Sequence, residues 1–301
     1  MNYNFKEIDK CCFCNSKEFK ILGKRLNSSQ GYNPQKKCGI TTTIVKCENC
    51  GLIFSNPLPI PCKIEEHYGV LPENYWKPQY FEIQDNYMDG LIKWMNSIEK
   101  IEKGAKILDI GAGIGKAMVA FELKGYDVYG IEPSLPFYER AIEKMNLKKE
   151  KIKLSMIEDC EYDENTFDVI LLTTVLEHLY EPSFILNKVL KWLKTNGLLF
   201  IEVPSSDWVV NKIINCSYRL RGKDYVGNLS PMHEPFHLYE FSKKSFEINS
   251  KINDYEIVDY RYYVCETFMP KFIDPFIKWY MRKSNTGMEL AIWLKKKNQI
   301  P

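Results

Sequence analysis

Lys106-Ile107-Leu108-Asp109-Ile110 is followed directly by Gly111-Ala112-Gly113-Ile114-Gly115. A short apolar run that ends in closely spaced glycines reads as a buried strand turning sharply into a helix, which here reaches Gly125. Upstream, apolar residues recur at helical spacing at Tyr87, Met88, Leu91, Met95, Ile98 and Ile101, and the stripe ends before Gly104. Downstream, strands are expected at Asp127–Ile131, Ile152–Met156, Phe167–Thr174 and Leu198–Val203. Helices are expected between them, from Ser134 to Asn146 and from Pro182 to Lys194, the latter stopped by Asn196-Gly197. Strands alternating with helices predict an α/β fold with a doubly wound parallel sheet. Such sheets bind ligands at the carboxyl ends of their strands.

The glycine loop lies at such an end, where backbone without side chains lets a ligand approach closely. A similar loop serves nicotinamide enzymes, and two details separate the readings. The dinucleotide fingerprint places Gly or Ala at its sixth position, which counted from Gly111 is Lys116. Asp109 stands inside the strand end, where a carboxylate suits the ammonium of an amino-acid-bearing cofactor better than a pyrophosphate. At the end of the second strand, Glu132 can accept hydrogen bonds from both hydroxyls of a ribose.

These segments resemble class I S-adenosylmethionine-dependent methyltransferases. The resemblance rests on residues 107–115, on Val128-Tyr129-Gly130-Ile131-Glu132-Pro133-Ser134 and on Phe167-Asp168-Val169-Ile170. Val175-Leu176-Glu177-His178-Leu179, Glu181-Pro182 and Val203-Pro204 continue it in order across roughly residues 105 to 205. It implies a Rossmann-like seven-stranded sheet whose last two strands form an antiparallel hairpin, fitted by Tyr255–Cys265 and Met288–Lys295. It also implies S-adenosylmethionine as cofactor. Asp109, Gly111, Ala112, Gly113 and Gly115 would cradle its methionine portion, Glu132 and Pro133 its ribose, and Ile157 and Glu158 its adenine, with Thr173 alongside.

Composition bounds the remainder. The chain has 301 residues, 45% apolar and 27% charged, which excludes a disordered or fibrous protein. Forty-one Lys and Arg balance thirty-nine Asp and Glu, which argues against a nucleic-acid partner that would need a basic surplus. There is no run long enough to span a bilayer and no apolar leader after Met1, so the reading is cytoplasmic. Cysteine alone is uneven. Seven of ten (Cys11, Cys12, Cys14, Cys38, Cys47, Cys50 and Cys62) fall in the first 62 residues.

Cys11-x-x-Cys14 and Cys47-x-x-Cys50 are two knuckles 32 residues apart, and Gly51 suits the turn after the second. Two such turns present four sulfurs tetrahedrally, the shell preferred by structural Zn2+. Cys12, Cys38 and Cys62 read as bystanders, and Thr41–Val45 as a strand leading into the second knuckle. Asn56-Pro57-Leu58-Pro59-Ile60-Pro61 reads as a stiff connector closing this unit. The expected organisation is a small N-terminal zinc-binding domain over 1–60, a connector and helical cap over 61–104, and a methyltransferase domain over 105–301. The segment from Cys47 to Pro59 is similar to the zinc-binding leader of bacterial methyltransferases acting on nucleotide-linked sugars, polysaccharide units and secondary metabolites. This similarity implies a small-molecule or glycan acceptor and a role in polysaccharide biosynthesis.

Transfer to a hydroxyl needs a base, and the chain has four histidines. His178 follows the fourth strand, where the acceptor should meet the methyl group, and is the first choice. His233 and Glu234 compete from an insertion over 205–240 that is expected to act as a lid. Alternatively, Glu177-His178 caps the following loop, and His237, beside Leu238 and Tyr239, reads as structural. Some related O-methyltransferases carry E-x-x-E-H here and bind a divalent ion. In this chain Thr174 replaces the first acid, which weighs against a catalytic metal. The segment over 268–286, with aromatics and four basic residues, reads as an amphipathic helix on the sheet, a homodimer contact or a peripheral membrane contact. Tyr75, Trp76, Tyr80, Phe81 and Tyr87 either wall the acceptor pocket or fill an interdomain core. Competing classes are a zinc-ribbon interaction module with a ligand-binding but inactive domain, an RNA methyltransferase and a nicotinamide oxidoreductase.

Overall fold

The computed structural model describes residues 3–25, 41–61, 78–227, 237–265, 267 and 269–297. His233, Glu234, Cys38, Cys62, Tyr75 and Trp76 lie outside these residues.

The N-terminal half opens with strands β1 (Tyr3–Lys6), β2 (Phe19–Arg25), β3 (Thr43–Cys47), β4 (Ile53–Asn56) and β5 (Leu58–Pro61). Helix α1 (Asp89–Ile98) leads into the large sheet. Its strands are β6 (Lys106–Ile110), β7 (Asp127–Glu132), β8 (Ile152–Leu154), β9 (Phe167–Thr173) and β10 (Leu193–Pro204). Helices α2 (Lys116–Leu123), α3 (Leu135–Glu143) and α4 (Pro182–Trp192) alternate with them. After β10 come α5 (Val209–Leu220), β11 (Tyr225–Val226), β12 (Tyr239–Glu240) and α6 (Lys243–Asn249). The described chain ends with β13 (Tyr255–Tyr263), α7 (Asp274–Ser284) and β14 (Glu289–Lys296).

The seven-stranded sheet has the order β13-β14-β10-β9-β6-β7-β8. Strands β8, β7, β6, β9 and β10 are parallel, and β14 runs antiparallel between β10 and β13. This is the Rossmann-like seven-stranded sheet with a terminal antiparallel hairpin that the resemblance implies. Side chains alternate across the pleat, so each strand feeds two cores. Leu108, Ile110, Ile170, Leu172, Leu199 and Ile201 pack on one face with Ile185, Leu186 and Val189 of α4. Ile107, Val169, Leu171, Leu198 and Phe200 pack on the other with Trp94, Met118 and Phe121. Burial on both faces explains why these strands read as nearly continuous apolar runs.

Several expectations are corrected. The proline stretch is no connector, because β5 pairs antiparallel with β1, Tyr3 opposite Pro61 and Lys6 opposite Leu58. The strand expected at Thr41–Val45 runs over Thr43–Cys47. Helix α4 stops at Trp192, since Leu193 already pairs with Phe167, and β10 passes through Asn196-Gly197 with a register shift.

The N-terminal sheet is also not built from residues 1–60 alone. Its order is β11-β2-β3-β4-β12, and both edge strands come from the segment expected to be a lid. Tyr225 and Val226 lie alongside Lys24 and Arg25, while Tyr239 and Glu240 lie opposite Phe54 and Ile53. The segment therefore ties the two halves of the chain together.

Candidate functional site

The carboxyl ends of β6, β7 and β9 open into a crevice of about 230 Å3. Its floor is backbone. The N–H groups of Gly111 and Ala112 both donate to the Ile131 carbonyl, at 2.8 and 3.0 Å, drawing the glycine loop against the end of β7. The N–H of Gly113 then donates to Glu132 Oε2 at 2.7 Å, and that of Ser134 to Oε1 at 2.8 Å. Glu132 therefore joins the two loops that face each other across the crevice. Helix α2 begins at Lys116, the residue that breaks the dinucleotide fingerprint.

Gly111, Gly113, Glu132, Pro133, Ile157, Glu158, Thr173 and His178 line the crevice together. Asp109, Ala112 and Gly115 belong to the same strand end and loop but are not among the lining residues. Asp109 is buried, as is Glu132. Burial, reinforced by the charge of Glu132, pushes the Asp109 carboxyl up to about 7. Burial likewise lifts Glu132 to about 7, against the opposing pull of its two backbone donors. Two carboxyls poised near neutrality fit a ligand that brings an ammonium and hydroxyl donors. A Cβ on Gly113 would meet nothing closer than Phe137 at 3.9 Å, so the loop leaves room on the ligand side. The donor set and the space thus fit S-adenosylmethionine. Sequence reasoning missed Ser134, Phe137, Met156, Val175 and Leu179 in the lining. Most of them offer only apolar surface, a signal indistinguishable from core.

At the far end of the crevice Thr173 gives way to Thr174, held at φ 54° with its N–H on the Glu202 carbonyl at 2.9 Å. A single 3₁₀ turn, Leu176–His178, follows. Glu177 is fully buried, and neither carboxylate oxygen has a hydrogen-bond partner among the described residues. Burial, helped by the charges of Glu289 and Glu202, pushes it up to about 8. His178 Nε2 lies 4.0 Å from Glu177 Oε1. The ring of His237 meets that of His178 edge-on, with centroids 5.0 Å apart. The N–H of Leu238 donates to the Glu177 carbonyl at 2.8 Å and fixes this approach. One ligand atom each from Glu177, His178 and His237 lies within 4.8 Å of the others. The three could share a divalent ion without an acid at position 174.

A second cluster joins Cys11, Cys14, Cys47 and Cys50, all buried. Cys11 and Cys50 sulfurs are 3.7 Å apart, Cys14 and Cys47 sulfurs 3.5 Å, and all four lie within 4.8 Å. Zinc bound at its usual sulfur distance sets tetrahedral edges of about 3.8 Å, so the four donors fit Zn2+. Both knuckles close alike, the N–H of Asn15 on the Cys11 carbonyl and that of Gly51 on the Cys47 carbonyl, each at 2.9 Å. Hydrogen bonds from Cys11 and Cys50 pull the Cys47 thiol far below its ordinary range, while the same contact with Cys47 pushes Cys11 up. Cys12 points elsewhere, and burial lifts its thiol to about 12.

The fold and the crevice define a nucleoside-binding α/β enzyme. The methyltransferase domain family matches residues 82–283, and the chain belongs to that family. It is an S-adenosylmethionine-dependent methyltransferase. The ubiquinone biosynthesis O-methyltransferase of Pelagibacter ubique is 27% identical over 238 residues, covering 71% of this chain and 96% of the relative. The phosphoethanolamine N-methyltransferase 1 of Triticum aestivum is 31% identical over 138 residues, 44% of this chain but only 26% of the relative. Among solved structures, a SAM-dependent methyltransferase from Methanosarcina mazei superposes with a TM-score of 0.50 at 18% identity, covering 69% of this chain and 97% of that one.

Proposed function

We propose that the enzyme methylates a hydroxyl, less readily a carbon, of a sugar nucleotide, glycan precursor or related small molecule, with His178 as the base. The observation that carries this reading is the position of His178. It lines the crevice beyond the cofactor-facing residues, and its ring is flanked by Glu177 and His237. S-adenosylmethionine, when bound, supplies an electrophilic methyl carbon. The chain's part is to bind, align and exclude water. Asp109 pairs with the cofactor's ammonium, Glu132 accepts from its ribose hydroxyls, and Ile157 and Glu158 flank its adenine. His178 takes the hydroxyl proton at an imidazole nitrogen, with Glu177 Oε1 4.0 Å from its Nε2. Small-molecule acceptors are supported by relatives named for methylating ubiquinone precursors and phosphoethanolamine. The glycan class is supported by the likeness of the Cys47–Pro59 leader to sugar-directed methyltransferases. The four-cysteine cluster is read as a structural zinc site that holds the N-terminal sheet.

The test is methyl transfer to a panel of sugar nucleotides and phenolic and amine acceptors, with His178→Ala beside the wild type. Hydroxyl transfer should fall by about 10²- to 10⁴-fold in the variant, while S-adenosylhomocysteine binding stays intact. Transfer to an amine that survives the substitution would sink the reading. A second reading is favoured by the Glu177, His178 and His237 cluster. In it these three hold a divalent ion, which would make the acceptor hydroxyl more acidic. It requires that activity vanish with a chelator of hard cations and return with Mg2+ or Mn2+, while zinc content is unchanged.

A further inference from the structure

Helix α7 has three faces. Ile277 and Met281 are buried against Trp208 and Val210, with Ile273 packed beside them. The opposite arc carries Phe276, Trp279 and Tyr280, which are 64%, 52% and 47% exposed, and Phe272, 83% exposed, lies in the turn just before the helix. Phe276, Trp279 and Tyr280 follow one another at steps of three and one, so they form a single stripe on the helix. The rings of Phe276 and Trp279 stack, 5.8 Å apart at 27°. Single exposed apolar residues are ordinary, but a contiguous aromatic stripe is not.

The charge around the stripe has one sign. Lys271, Lys278, Arg282 and Lys283 are set against Asp274 alone over residues 271–284, and Asp274 is engaged with Lys278 at 2.8 Å. At 100° per residue, Lys278 and Arg282 fall on the arc next to the aromatics and Lys283 falls within the stripe, while Lys271 lies in the turn before the helix. Aromatic side chains, with polar tips on Trp279 and Tyr280, bordered by cations, match the boundary between headgroups and acyl chains of an anionic bilayer. The helix is also too short and too charged to cross one, and no helix among the described residues is long and apolar enough to do so.

The location of α7 matters as well. It connects β13 to β14, and Glu289, the first residue of β14, pairs with Pro204, the last of β10. The connection that contains α7 therefore leaves and rejoins the sheet at its carboxyl edge, the edge at which the crevice opens.

We propose that α7 docks the enzyme on an anionic membrane surface through Phe272, Phe276, Trp279 and Tyr280, with Lys271, Arg282 and Lys283 contacting headgroup phosphates. The docking is peripheral and leaves the fold unchanged. It does not depend on which acceptor is methylated.

The test uses the full, zinc-loaded chain and co-sedimentation with vesicles. Phosphatidylcholine vesicles containing phosphatidylglycerol should bind the protein, pure phosphatidylcholine vesicles should bind it weakly, and added salt should weaken the first. Phe276→Ser combined with Trp279→Ser should reduce binding by at least about tenfold. Lys271→Glu combined with Lys283→Glu should abolish the preference for anionic vesicles. Both variants should bind S-adenosylhomocysteine like the wild type, which shows that they are folded. Wild-type protein that stays in the supernatant, or an aromatic variant that binds vesicles equally well, overturns the proposal. So does a wild-type dimer that the aromatic substitutions convert to monomer, because the stripe would then be a contact between copies of this chain.

Discussion

The N–H of Gly113 donates to the carboxylate of Glu132 at 2.7 Å, so the turn after β6 is held by the residue that ends β7. The same carboxylate accepts from Ser134, and one side chain thereby shapes two loops. Replacing Glu132 with Ala leaves both backbone donors without their acceptor and removes the proposed ribose contact. We expect Glu132→Ala to lose about 2 kcal/mol of stability and about 10²-fold in S-adenosylhomocysteine affinity. Glu132→Gln keeps one acceptor oxygen and should fall between. Calorimetry and thermal melts separate the two effects, and wild-type affinity in Glu132→Gln would mean that the carboxylate serves the loops alone.

The positions of Asp109 and Glu132 also predict a pH dependence. Both are raised to about 7 by burial, whereas in an unfolded chain they titrate near 4. Below about pH 4 both states are protonated and the groups contribute nothing to stability. Between about 4 and about 7 the unfolded chain ionises first, so the ligand-free protein loses stability as pH rises, levelling off above 7. An ammonium beside Asp109 and hydroxyls on Glu132 favour the ionised forms. Ligand affinity should therefore rise across the same upper range, by up to roughly tenfold per proton released for each pH unit below 7. Titrations with S-adenosylhomocysteine in buffers of different ionisation enthalpy would count those protons, and a flat profile would rule out both contacts.

Two glycines of the loop should fail in different ways. A Cβ at Gly115 would lie 2.1 Å from Leu147 Cδ1, inside the core that packs α2. Gly115→Ala should lower the melting temperature of the ligand-free protein by several degrees, through a cost of about 2 kcal/mol. A Cβ at Gly113 meets nothing nearer than 3.9 Å and projects into the crevice. Gly113→Ala should melt within a few degrees of wild type, its positive φ costing about 1 kcal/mol, yet lose most of its ligand affinity. Equal melting losses in the two variants would contradict this division.

The four-cysteine cluster predicts one zinc per chain. Cys47→Ser should abolish metal binding and destabilise the protein, because Cys11, Phe13, Cys47 and Cys50 belong to the same buried core as α4. Cys12→Ser should retain the metal, since its sulfur stands apart from the four. Elemental analysis of both variants decides the ligand set. Metal retained in Cys47→Ser would leave the cluster as four packed thiols.

What could be read beforehand follows from locality. Strands β6, β9 and β10 are buried on both faces, and each announces itself as an apolar run between turns. Glu132 could be located because its distance along the chain from Gly111 fixes it at the next strand end. The two-residue strands β11 and β12 carry no such pattern. Their existence depends on partners in β2 and β4 almost two hundred residues earlier. The neighbours of His237 could not be read for the same reason. Nothing near it in sequence shows that Leu238 will bond to the Glu177 carbonyl and bring its ring against His178. The proline stretch was misread because alternating prolines suit an edge strand as well as a connector.

Asn249 offers a test of how firmly the two halves of the chain are joined. Its Nδ2 donates to the Phe13 carbonyl at 2.7 Å and to Ser183 Oγ at 2.8 Å, and its Oδ1 accepts from Asn253 at 3.0 Å and from Tyr255 at 3.1 Å. One side chain at the end of α6 thus links the first cysteine knuckle, α4 and β13. Beside it Ser245 donates to the Cys50 carbonyl at 3.1 Å, and Phe13 packs edge-on against Phe241 and Phe246. Asn249→Ala would strand several buried polar groups at once, a cost of about 3 kcal/mol or more. Asn249→Asp keeps the oxygen but loses both donor bonds, and it places a charge against the Phe13 carbonyl. Both variants should unfold earlier. If the knuckles owe their position to this contact, hydrogen exchange should quicken first in β3 and β4, before the seven-stranded sheet loosens. Uniform exchange across both sheets would instead show that the four-cysteine cluster holds its position without Asn249.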